Sequence, residues 1–143
     1  LRHRVYIDID GVLLDKKQKL PQGAVRFVEF IIQHFDCYWL TTHCRSNINN
    51  AVIYLSKFYD TETIELLKTV KPTNWETLKT EAIDFNQKFY WLDDYPFESE
   101  MKILENRNVI SSLIKVDLNE TNELERLEKL LSSYQLLTSN VSK

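Results

Sequence analysis

The chain has 143 residues, of which 43% are hydrophobic and 27% charged, and its formal net charge is -3. That length suits one domain able to bury a core, and the composition is that of a globular rather than a disordered chain. Acids and bases are interspersed, which argues against a broad electrostatic grip on nucleic acid but leaves room for a local basic groove. No apolar run has transmembrane length. Two cysteines, Cys37 and Cys44, are too few for a disulfide framework and fit a reducing cytoplasm.

Taken in chain order, short apolar runs alternate with helical stripes. Val5-Tyr6-Ile7 reads as a buried strand running into Asp8. Ala24, Phe27, Val28, Ile31 and Phe35 recur at helical spacing. Cys37-Tyr38-Trp39-Leu40 is a second strand, ending at Thr41, and Ile48, Ala51, Val52, Leu55 and Phe58 form the next helical stripe. Thr73 and Glu76 make a capping box just after Lys71-Pro72, which predicts a helix start there. Phe89 to Leu92 is a third strand stopping at Asp93-Asp94, Ser99 to Asn106 a helix, and Leu113 to Val116 a last strand. Leu124, Leu127, Leu130, Leu131 and Tyr134 line a final helix. Residues 1–137 are expected to form one domain, and 138–143 a frayed polar tail.

This alternation implies an α/β fold: a Rossmann-like open parallel sheet with helices on both faces. Ligands then sit beyond the carboxyl ends of the strands. Asp8 and Asp10, Thr41 and Thr42, and Asp93 and Asp94 all follow strands and should meet in one crevice. Four carboxylates gathered there would repel unless a cation neutralised them. Hard oxygen ligands in that arrangement suit Mg²⁺ sharing its shell with a phosphate. His43-Cys44 does not make a cysteine-phosphatase loop, because the position that needs arginine is Asn50.

Asp8-Ile-Asp10-Gly11-Val12 resembles the first motif of the haloacid dehalogenase superfamily. Trp39-Leu40-Thr41 is similar to its second motif, Val70-Lys71-Pro72 to its third and Trp91-Leu92-Asp93-Asp94 to its fourth, in the family's order. The resemblance implies a phosphohydrolase in which Asp8 attacks phosphorus to form an aspartyl-phosphate. Asp10 would protonate the leaving oxygen and then activate water. Thr41 would donate to the phosphoryl oxygens, or Thr42 if the strand ends one residue later. Lys71 would neutralise the nucleophile and the phosphoryl group. Asp8, Asp93, Asp94 and the backbone of Asp10 would hold Mg²⁺, with the order of Asp93 and Asp94 around it open. Two features depart from the common pattern: His43 and Cys44 follow the second motif, and the fourth lacks a glycine.

About thirty residues separate the first motif from the second, and about as many the second from the third, which leaves no room for a cap domain of ordinary size. Uncapped relatives tend to take large or extended phosphorylated substrates, or to borrow a partner protein that completes the open site. Leu13 to Pro21, with Asp15, Lys16, Lys17 and Lys19, should form a small flap over the entrance. The competing reading is a regulatory module that keeps the metal and phosphate site but turns over little. Neither a membrane nor nucleic acid is indicated as a partner.

Overall fold

The computed structural model describes residues 2–44 and 48–141. β1 (Arg4–Ile7), β2 (Asp36–Trp39), β3 (Phe89–Asp93) and β4 (Leu113–Lys115) form one all-parallel sheet in the order β2-β1-β3-β4. Val5 lies opposite Cys37 and Tyr90, and Ile7 opposite Trp39 and Leu92. Strands this apolar belong to a sheet covered on both faces, and successive side chains point to opposite faces. Val5 and Ile7 enter a core shared with α1 (Ala24–His34), α2 (Ile48–Leu55), α3 (Thr61–Leu67) and α5 (Glu123–Val141). Tyr6 enters a second cluster with Trp75, Phe89, Trp91 and Leu104 of α4 (Glu98–Asn106). The architecture is therefore a Rossmann-like α/β sheet. Among the described residues no helix is long and apolar enough to cross a membrane.

Three stretches differ from the sequence expectation. The helical stripe from Ile48 ends at Leu55, and a separate α3 starts behind Asp60, whose carboxylate accepts from the Thr63 amide at 3.0 Å. α5 continues to Val141 instead of fraying after Leu137. No helix begins at Thr73. Lys71 pairs instead with the edge of β2, its amide donating to the Cys37 carbonyl and its carbonyl accepting from Trp39, while the Thr73 hydroxyl donates to the Trp39 carbonyl. The chain stays extended until a short 3₁₀ helix at Lys79–Ala82.

The strand order positions the site. From β1 the chain passes through α1 to β2 on one side, and later returns on the other side of β1 as β3. The connections leaving β1 and β3 diverge, which opens a crevice between their carboxyl ends at a topological switch point. Asp8 follows β1 directly, and Asp93 closes β3.

Candidate functional site

Asp8 continues the ladder beyond β1, its amide donating to the Leu92 carbonyl at 3.2 Å. Its carboxylate is held at both oxygens: Oδ1 accepts from the Ile9 amide at 2.7 Å, and Oδ2 from Lys79 Nζ at 2.9 Å. Lys79 Nζ also donates to Asp93 Oδ2 at 2.7 Å, and Asp93 Oδ1 accepts from the Tyr95 amide at 3.0 Å. One ammonium thus bridges the two buried carboxylates that flank the switch point. Asp94 completes the cluster: one oxygen from each of Asp8, Asp93 and Asp94 lies within 4.8 Å of the others.

Electrostatics follows from burial. The Asp8 carboxyl is pushed up from 3.8 to about 6, first by burial and then by the Asp93 charge, with Lys79 pulling the other way. Asp94 is raised for the same two reasons. Burial works against the Lys79 ammonium, but Asp8 and Asp93 outweigh it and hold its pKa above the usual value. Lys16 adds a weaker downward pull on Asp94. Three carboxylate oxygens gathered this closely could hold a metal ion.

Gly11 makes the approach possible. It has φ of +86°, and a Cβ there would fall on the Asp94 carboxylate. The turn closes on itself, with the Gly11 amide donating to the Leu14 carbonyl and the amides of Val12, Leu13 and Leu14 converging on the Ile9 carbonyl. Leu13 and Leu14 are fully buried, so the expected flap begins only at Asp15.

Asp10 is not among the three clustered carboxylates and is exposed. His43 Nε2 lies 2.8 Å from its Oδ2, and the Tyr54 hydroxyl donates to its Oδ1 at 3.2 Å. The His43 ring stacks on Tyr54 with centroids 4.0 Å apart and planes 11° from parallel. Thr41 is buried just beyond β2, where its Oγ1 accepts from the His43 amide, and Thr42 is exposed. Because the Leu40 amide donates to the Ile7 carbonyl, Thr41, two residues beyond β2, sits beside the start of the Asp8 turn.

Lys71 is the correction. Its Nζ bonds Asp36 Oδ1 at 2.9 Å and lies over the Tyr38 ring. Asp36 opens β2 and pairs with Arg4, so this ammonium sits at the amino end of the sheet, opposite the carboxylate cluster. The backbone pairing of Lys71 with β2 directs it there. The structure brings Asp8, Asp93 and Asp94 together with Lys79, a residue the sequence reading passed over. Its local signal was Glu81, whose carboxylate accepts from the amides of Glu76, Thr77 and Leu78 and so marks where the 3₁₀ turn starts. His43 and Tyr54 were also missed as partners of Asp10, and nothing local in sequence signals those contacts. Comparison with family models, curated proteins and solved structures finds no match.

Proposed function

We propose that the chain is a magnesium-dependent phosphomonoesterase of the uncapped haloacid dehalogenase type that works through an aspartyl-phosphate. The observation that carries this reading is the Lys79 bridge between Asp8 and Asp93, beside Asp94, at the mouth of the switch-point crevice. A buried carboxylate whose charge is opposed by burial and supported by one lysine suits a nucleophile better than a surface turn.

Asp8, Asp93 and Asp94 would hold Mg²⁺, with the Asp10 backbone as a further ligand. When bound, the ion supplies counter-charge to the phosphoryl oxygens. The Asp8 carboxylate attacks phosphorus, and the bond to the ester oxygen breaks as that oxygen takes a proton from Asp10. Asp10 then takes a proton from a water whose oxygen attacks phosphorus, which releases phosphate and regenerates Asp8. Lys79 keeps the nucleophile ionised and neutralises charge as the phosphoryl group arrives. Thr41 is the better placed of the two threonines to donate to that group, because it is buried beside the start of the Asp8 turn. His43 and Tyr54 orient the Asp10 carboxylate. The two free cysteines suit a reducing, cytoplasmic setting. Without a cap the site draws binding energy from its flanks, which favours an extended phosphorylated substrate or a partner protein that closes it.

The test is a screen of phosphate esters with and without Mg²⁺, run beside Asp8→Asn. Metal-dependent release of phosphate, lost in the variant, supports the reading; full turnover in excess chelator refutes it.

A further inference from the structure

A cavity of about 450 Å³ opens directly beside the carboxylate cluster, with Gly11 and Asp94 forming one wall. That volume lies within the range of pockets that enclose whole small ligands, and a phosphoryl group alone would leave most of it empty. The remaining walls come from the turn after the first motif and from the exit of β4, and they carry Lys16, Lys17 and Lys115. All three lysines are exposed, and none makes an ion pair among the described residues.

Three carboxylates line the same cavity; two have one oxygen turned onto backbone amides, and the third, Asp94, feels the Lys16 charge. Asp15 Oδ1 accepts from the amides of Lys17 and Lys19, at 2.8 Å and 2.9 Å. Asp117 Oδ1 accepts from the Asn119 amide at 3.0 Å. Asp94 belongs to the carboxylate cluster. The walls are also fixed in advance. The Asp15 turn is closed by the Asp15–Lys19 and Gln18–Asp15 backbone bonds. The Asp117 amide donates to Glu123 Oε2 at 2.7 Å, and Glu123 is itself held by Arg126. A preformed cavity with three ammonium groups outside any ion pair, of which Lys16 also acts on Asp94, adjoins the site for one phosphoryl group and can receive a further anionic group.

We infer that this cavity is a subsite for a second phosphate of the substrate, so that the favoured ligand is a phosphomonoester bearing a further phosphate or phosphodiester group. The inference rests on the phosphomonoesterase reading for the first phosphate and adds the substrate class. The second group could belong to a small bisphosphate or to a nucleic-acid backbone. Both present the same anionic oxygens to the lysines.

The experiment compares kcat/KM for a hexose monophosphate, the bisphosphate of the same hexose, and a short oligonucleotide with a terminal phosphate. It uses the wild type, the Lys16→Glu/Lys17→Glu double variant and Lys115→Glu. Affinity for the same ligands is measured by calorimetry in the Asp8→Asn background, which needs no turnover. The wild type should prefer ligands with the second phosphate by about tenfold or more, and charge reversal should remove that preference while changing the monophosphate by less than about twofold. Added salt should erode the preference in the same direction. Whichever of the bisphosphate and the oligonucleotide gains more identifies the source. Equal loss for all ligands, or no preference in the wild type, overturns the subsite. Lysine-dependent binding without hydrolysis of any ester keeps the subsite and refutes the phosphomonoesterase. Hydrolysis without lysine-dependent preference does the reverse. If a charge reversal does not fold, the glutamine substitutions at the same positions should give the same ordering with smaller losses.

Discussion

Replacing Asp8 by asparagine should stabilise the metal-free protein while abolishing the proposed covalent step. Burial and Asp93 raise the Asp8 carboxyl from 3.8 to about 6, so at neutral pH the folded state holds an ionised group in a site that prefers the neutral form. Two units of pKa correspond to about 3 kcal/mol. Asparagine removes that cost but also weakens one of the two bonds made by Lys79, so the net gain should be about 1–2 kcal/mol, or roughly 3–8 °C in Tm. The sign fixes the pH profile. A carboxyl whose folded pKa is raised makes the wild type lose stability as pH climbs from about 4 to about 6, with no further loss above. The advantage of the variant should therefore be absent near pH 4, grow through that window and level off above it. Urea unfolding in chelator at several pH values measures this directly. Mg²⁺ should reverse the order by stabilising the wild type more than the variant. A variant less stable than the wild type at neutral pH without metal would refute the electrostatic account of the site.

Other outcomes follow from the same geometry. Lys79→Ala leaves two buried carboxylates facing each other and should cost about 3–5 kcal/mol without metal, whereas Lys71→Ala loses one exposed ion pair and should cost under about 1 kcal/mol and leave the proposed phosphatase activity unchanged; unfolding and rate assays on both variants check this. Gly11→Ala puts a methyl group on the Asp94 carboxylate at a positive φ and should abolish stabilisation by Mg²⁺, read as loss of the metal-induced rise in Tm. Asp10→Asn should slow esters with poor leaving groups far more than those with good ones; His43→Ala should show the same trend more weakly, and an equal loss across leaving groups would contradict the role given to Asp10.

The frame of the site was legible because it rests on local pattern. Val5-Tyr6-Ile7 and Phe89 to Leu92 are apolar runs ending in aspartates, and burial on both faces of a parallel sheet demands such runs. The crevice between them followed from the alternation of strands and helices. Lys79 was not legible in the same way. Around Lys71 the sequence offers a basic residue, a proline and a capping pattern, and all three point to a helix start. The structure uses those residues to extend the edge of β2 instead. What decides between two lysines eight positions apart is the long-range partner of each, Asp36 for one and Asp8 with Asp93 for the other. The His43–Asp10 contact, between residues 33 apart in sequence, was hidden for the same reason.

Glu100, on α4, is 2% exposed, and its carboxylate grips two strands of chain at once. Oε2 accepts from the Lys79 amide at 2.7 Å, and Oε1 from the Phe97 amide at 2.8 Å. Phe97 ends the turn that begins at Asp93 and Asp94, so the base of the lysine and the far end of the acidic turn are clamped to one side chain. The two cannot drift apart independently. A pull on Tyr95 or Phe97, which stand exposed on the surface, would be carried through Glu100 to the ammonium between Asp8 and Asp93. Anything that docks on that turn therefore has a mechanical linkage to Asp8, with one buried carboxylate as its joint.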